Sequence, residues 1–208
     1  MAKQSKPKCR VCRRLGIKLY LKGERCYSSK CALEKKFSPP GMQGMRRRGK
    51  ASDYALHLWE KQKLRKIYGV MEKQFKLYFE KANAQRTIPT GDKLLEILER
   101  RLDNTIFRGG LAVSRSSARQ LVNHGHVMVN NKTVNIPSYQ VKPNDVITLK
   151  AKARNIPQVL QAIENQPLIP SWLSTDYEKF SITVNSNPTR DQIDTPIKEE
   201  LIVEFYSK

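Results

Sequence analysis

All four cysteines of this 208-residue chain lie within its first 31 residues, as Cys9-x2-Cys12, a thirteen-residue interval and Cys26-x4-Cys31. Two close pairs on either side of a short loop suit tetrahedral thiolate coordination of zinc, with each pair supplying adjacent corners. Four thiolates would close the shell, so the metal would be structural. The segment holds few large apolar residues, and a metal would supply order that burial does not. Lys8, Arg10, Arg13, Arg14, Arg25 and Lys30 surround the pairs and are expected to lower the thiol pKa values. Disulfides and an iron–sulfur cluster use the same residues and stay open.

The partner class follows from charge. The chain carries 39 Lys and Arg against 19 Asp and Glu, and residues 1–50 alone hold 16 basic and 2 acidic side chains. A surplus gathered at one end fits an arm laid along phosphates, because neutralising phosphates releases condensed counterions. Residues 156–208 carry 4 basic and 8 acidic side chains and are assigned packing or protein contacts. No apolar run reaches the roughly 18–20 residues of a spanning helix. The opening residues lack the apolar stretch of a secretory signal, so a cytoplasmic protein is expected.

Enzyme signatures are missing. There is no P-loop, GxGxxG after a strand, HExxH or GxSxG. His57 stands alone, and His124-Gly125-His126 reads as a helix end. Asp103 and Asp145 show no partners for acid–base work.

The positioning elements read as α+β. The breaker-rich connector 37–44 leads into the basic run Arg46-Arg47-Arg48-Gly49-Lys50. Ser52 or Asp53 caps a helix towards Tyr68, Gly69 is placed to interrupt or restart it, and Ile67, Tyr68, Met71, Phe75, Tyr78 and Phe79 share one helical face. Trp59, among Lys61, Lys63, Arg65 and Lys66, is the aromatic best placed to approach RNA, although packing is its commoner fate. A helix with Leu94, Leu95, Leu98 and Leu102 on one side ends at Gly109-Gly110. Ser114 caps the next helix, which Gly125 stops. Val127, Val129, Val134 and Ile136 flank the turn pair Asn130-Asn131, predicting a hairpin. Pro143-Asn144-Asp145 turns into Val146–Leu149. Pro157 opens a helix with Val159, Leu160 and Ile163 on its apolar side. Trp172-Leu173 and Phe180, Ile182 and Val184 read as short strands in a hairpin, and Leu201–Tyr206 reads as a strand or docked tail. The expected divisions are a basic cysteine module and connector over 1–45, a helical lobe over 46–92, and a lobe over 93–208.

Three stretches carry a resemblance: Arg101-Leu102-Asp103-Asn104, Ser114-Arg115-Ser116-Ser117-Ala118-Arg119-Gln120-Leu121-Val122, and Gly125-His126-Val127-Met128-Val129-Asn130. Together they resemble the alpha-L RNA-binding motif, here spanning about 99–155. Ser52-Asp53-Tyr54, Glu60–Arg65 with Ile67-Tyr68-Gly69, and the ending Leu201–Lys208 are similar to the family of bacterial small-subunit ribosomal protein four. The cysteine module resembles that family's zinc-containing branch.

The resemblance implies a primary binder of small-subunit, 16S-type rRNA at its five-prime domain, which nucleates subunit assembly. It implies contacts with small-subunit protein five and with mRNA where it enters the ribosome, a bearing on translational accuracy, and in some members repression of the protein's own messenger. It places Cys9, Cys12, Cys26 and Cys31 on zinc. Carried over by position, Arg101, Arg115, Arg119, His124, Asn130 and Lys132 are rRNA-facing, as are Arg46, Arg47, Arg48, Lys50, Tyr54, Lys61, Lys63, Arg65 and Lys66. Arg10, Arg13 and Arg14 of the cysteine module join them. This sequence departs from the family's pattern at Gly41-Met42-Gln43-Gly44, which lacks a histidine, and at Asn131, where glycine is usual. Two rivals stand beside this reading: an rRNA-modifying enzyme, for which no stretch of catalytic length is left over, and a zinc-dependent DNA regulator, which needs a major-groove helix. Many phosphate contacts make RNA affinity fall about a thousandfold or more between roughly 50 and 200 mM salt. Anisotropy titrations of labelled RNA across a salt series check this, and a flat profile contradicts it.

Overall fold

The computed structural model describes residues 7–42, 50–85, 87–165 and 167–207. Its elements are α1 (Lys8–Leu15), α2 (Ala32–Lys35), α3 (Asp53–Ile67), α4 (Glu72–Asn83), α5 (Thr90–Glu99), α6 (Leu102–Arg108), α7 (Arg115–Asn123), β1 (Val127–Val129), β2 (Lys132–Thr133), β3 (Val146–Leu149), α8 (Ala151–Arg154), α9 (Pro157–Glu164), β4 (Leu173–Asp176), β5 (Ser181–Val184) and α10 (Glu199–Ser207). Short 3₁₀ turns lie at Gly23–Cys26 and Arg190–Gln192. The class is α+β. The described residues of Met1–Gly91 and Thr195–Lys208 form one compact unit, and those of 92–194 form a second.

The second unit packs helices on one antiparallel sheet of order β2-β1-β3-β5-β4. Local chemistry sets its boundaries. The Ser114 hydroxyl accepts the Ser117 N–H at 3.3 Å and starts α7. Asn130 and Asn131 take φ of 49° and 64°, as a two-residue hairpin turn requires, and Val129 pairs with Lys132 across it. Residues of period 2, Val127 and Val129, point inward from β1 and meet Ile147 and Leu149 of β3 and Ile182 and Val184 of β5. Leu102 and Ile106 of α6, Ala118, Leu121 and Val122 of α7, and the fully buried Trp172 complete the core. Gly109 ends α6 hard against the sheet: a Cβ there would stand 2.4 Å from Ile182 Cδ1. Ile136 and Leu160, both expected inward, are exposed. The chain has left β2 before Ile136, and Leu160 falls on the outer side of α9.

In the first unit, α3 starts where the Ser52 hydroxyl accepts the Ala55 N–H at 3.3 Å. The single helical face expected over residues 67–79 is broken, because Gly69 at φ 66° separates α3 from α4. Ile67, Tyr68, Phe75, Tyr78 and Phe79 are buried all the same, while Met71 is 39% exposed. Residues 201–206 are also not a strand. They lie in α10, which packs on α3 in this unit rather than with the alpha-L region.

Aromatic and ionic contacts hold α10. Tyr206 stacks on Phe79 at 4.5 Å and on Phe75 at 6.4 Å between centroids. Its hydroxyl donates to Glu72 Oε1 at 3.2 Å, and His57 Nε2 meets Glu204 Oε2 at 2.8 Å. Burial pushes the Glu72 carboxyl upward, but the Lys61 hydrogen bond at 2.6 Å and the charges of Lys61 and Arg65 outweigh it and hold the group below its ordinary value. Burial and the Glu72 charge push the Tyr206 hydroxyl far above its usual range, so it remains a donor. A folded-state carboxyl pKa below the unfolded value of about 4.3 stabilises fully above that value, and this is lost as pH falls through the lower, folded one. Glu72→Gln is therefore expected to lower the urea midpoint at neutral pH. Its gap from the wild type should narrow as pH drops below about 5. Urea melts across pH check this, and a gap of constant size contradicts it.

Candidate nucleic-acid interface

The alpha-L region is organised by two buried acids. Asp103, 4% exposed at the start of α6, accepts Arg101 Nε at 3.1 Å and Nη2 at 2.9 Å, and also Arg119 Nη1 at 3.1 Å from α7. Glu99, 1% exposed at the end of α5, accepts Arg108 through both oxygens, at 3.2 and 2.9 Å, and the Asn104 amide at 2.6 Å. Asn104 in turn accepts Arg115 Nε at 2.7 Å, and the Arg115 guanidinium lies 4.6 Å from the Phe107 ring centre. The two α7 arginines, one turn apart, are thus fixed from beneath by α6. Both residues are half-buried rather than sealed. His124 at the end of α7 and Lys132 in the hairpin are exposed. The surface gathers positive charge without a nucleophile–base pair and suits phosphate binding.

Three of the candidates have their side chains engaged within the protein. Arg101 is 2% exposed and forms a two-bond pair with Asp103. Lys61 is 5% exposed, bound to Glu72 and 4.2 Å above the Phe205 ring, so it too is internal. Asn130 turns its side chain back, donating to Asp145 Oδ1 at 2.8 Å and accepting the Val146 N–H at 2.9 Å. Asp103 and Asp145, read as having no partners for acid–base work, are structural anchors: Asp103 holds Arg101 two residues before it and Arg119 on α7, and Asp145 takes the Lys142 N–H and the Asn130 amide. Asp103, Asn104 and Glu99 are the functional residues that the sequence reading passed over as positioning groups.

The other candidates stay outward or partly so. Arg10, Arg14, Lys50 and Tyr54 are exposed. Lys63 pairs with Glu60 at 3.4 Å, Arg65 donates to Gln62 at 2.6 Å, and Lys66 is half-buried. Trp59 is 42% exposed on α3. Arg46, Arg47 and Arg48 lie outside the described residues.

The cysteines are brought towards one another. Cys9 and Cys12 share one side of α1, Cys26 ends the 3₁₀ turn, and Cys31 precedes α2. All four are free thiols; Cys12, Cys26 and Cys31 are buried. The Cys12 thiol lies within electrostatic reach of the other three and accepts a hydrogen bond from the Leu19 backbone. Its pKa is raised, against expectation, because burial dominates. Two of the nearby cations are engaged elsewhere: Lys8 donates to Leu21 O at 3.1 Å and Arg13 to Ser38 O at 3.0 Å. Thiols are a donor kind that a metal ion takes. Among the described residues, however, no three His, Cys, Asp or Glu side chains are spaced to hold one.

Residues 3–99 match the family model described as ribosomal protein S4/S9 N-terminal domain, and residues 100–147 match the S4 domain. Small ribosomal subunit protein uS4 of Natranaerobius thermophilus is 51% identical over 210 residues, covering all of both chains. The chain belongs to the uS4 family. The uS4 of Halothermothrix orenii is 51% identical and the uS4A of Symbiobacterium thermophilum 50%, again over the full length of both. The uS4 family consists of structural ribosomal proteins, not enzymes. Its S4 domain here holds α6, α7, the β1–β2 hairpin and the Asp103 anchor. Among the described residues no helix is long and apolar enough to cross a membrane.

Inward and outward cations should separate experimentally. Arg101→Ala leaves Asp103 with one buried partner fewer and should cost about 3–5 kcal/mol of stability. Lys132→Ala should leave stability within about 0.5 kcal/mol and weaken RNA binding. Urea melts and RNA titrations on both variants check this; equal stability losses would contradict the assignment.

Proposed function

We propose that this protein is a structural, rRNA-binding component of the small ribosomal subunit in the cytoplasm, and a primary binder of the five-prime domain of 16S-type rRNA that nucleates subunit assembly. The observation that carries the proposal is the pair of α7 guanidiniums held by Asp103 and Asn104 inside the segment that matches the S4 domain. Arg115 and Arg119, with side-chain positions fixed in advance, lose little freedom on meeting phosphates. Arg10, Arg14, Lys50 and Lys63 extend the positive surface of the other unit. Selectivity then rests on the shape of a folded RNA junction, because phosphates carry no sequence information.

The proposal extends to contacts with small-subunit protein five and with mRNA at its point of entrance, a bearing on translational accuracy, and repression of the protein's own messenger through the same surface. Resemblance along the whole chain supports these extensions. Cys9, Cys12, Cys26 and Cys31 would hold one zinc ion, which supplies cross-linking of α1, the 3₁₀ turn and the start of α2. The grouping of four free thiols, three of them buried, supports this part.

The test compares the five-prime domain of small-subunit rRNA with an unrelated folded RNA of equal length. Binding at least about tenfold tighter to the first, a difference of about 1.4 kcal/mol, is expected. Equal affinity would leave only a general basic RNA binder. Elemental analysis of the same preparation should find about one zinc per chain; none after purification without chelators contradicts the metal assignment.

A further inference from the structure

Two tyrosines of the cysteine module pack against each other, tilted, at the surface. The rings of Tyr20 and Tyr27 lie 4.9 Å apart between centroids at 30°, yet Tyr20 is 44% and Tyr27 75% exposed. An aromatic pair recruited to fill a core would be covered, and this one is not. Tyr20 also sits at φ 49°, a left-handed backbone that is uncommon for a bulky side chain. Such backbone strain persists where the surroundings enforce it, and it gathers at ligand sites. Tyr27 follows the 3₁₀ turn Gly23–Cys26, and its N–H donates to Glu24 O at 2.9 Å, so a short ordered turn sets its position.

The charge around the pair names the occupant. Lys22, Arg25 and Lys30 are exposed within five residues of one ring or the other, while the remaining close cation, Lys18, is paired with Glu34. An exposed aromatic pair with exposed cations close by in sequence matches an unpaired nucleobase with its phosphates: the base stacks, and the cations hold the backbone. A folded duplex buries its base faces and offers nothing to stack on. We infer that Tyr20 and Tyr27 form a stacking platform for an unpaired base of single-stranded RNA, with Lys22, Arg25 and Lys30 on its phosphates. This site rests on the proposed RNA-binding role and adds a single-strand contact to the phosphate surface of α7.

The test uses the full-length protein, a labelled twelve-nucleotide oligoadenylate, and an RNA duplex of the same length. Tyr27→Ala should weaken single-strand binding about tenfold and leave duplex binding within about twofold. Tyr27→Trp should keep single-strand affinity, whereas Tyr27→Leu, which retains apolar volume without an aromatic face, should lose it as alanine does. Equal losses on both RNAs, or full retention by the leucine variant, would overturn the platform and make Tyr27 a structural residue. No loss in any variant would also overturn it and leave the face to a protein neighbour. The wild-type preference for five-prime rRNA, measured alongside, separates the two readings. If that preference holds while Tyr27→Ala has no effect, only the platform fails; if wild type binds no RNA, the functional proposal fails as well.

Discussion

A buried carboxylate in a chain of net charge +20 is the constraint on which the alpha-L region depends. Asp103 is nearly sealed from solvent, and an isolated charge there would be costly, so it must keep its guanidiniums. Arg101 meets it from the loop before α6 and Arg119 from α7. The acid therefore fixes how these two helices pack, and with that the direction in which the α7 cations face. Glu99 repeats the device with Arg108 and Asn104, and Asn104 passes it on to Arg115. The positive surface is thus a consequence of internal negative charge. Without those acids, like-charged side chains would repel and spread.

The first unit solves a similar problem with aromatics. Lys61 gives up solvent for Glu72 and the faces of Phe205 and Tyr206, which fastens α10 onto α3 and α4. Here too a basic side chain that charge counting assigns to RNA is structural. Burial, rather than residue type, separates the two roles, since Lys63 and Lys66 of the same helix remain partly open.

Features governed by neighbours in sequence were legible. Ser52 and Ser114 cap their helices, Asn130-Asn131 makes the hairpin turn, and Val127, Val129 and Ile147 enter the core as their spacing requires. Features decided by distant contacts were not. Leu201–Tyr206 has the β-branched and aromatic content of a strand, but packing on α3 makes it a helix. The interior fates of Arg101 and Lys61 depend on Asp103 and on α10, and no periodicity reports either. The basic neighbours of the cysteines pointed to lowered thiol pKa values, but burial outweighs them at Cys12.

The account's central claim is that Asp103 positions Arg119 for RNA and does not merely stabilise the fold. A double-mutant cycle on Asp103→Asn and Arg119→Gln, read in both urea stability and affinity for the five-prime rRNA domain, addresses it most directly. Coupling of about 1 kcal/mol or more in both readouts is predicted, because the lost pair frees the guanidinium as well as the helix contact. Coupling in stability with strictly additive effects on rRNA affinity would contradict the claim, and would reduce the Asp103–Arg119 pair to a packing device.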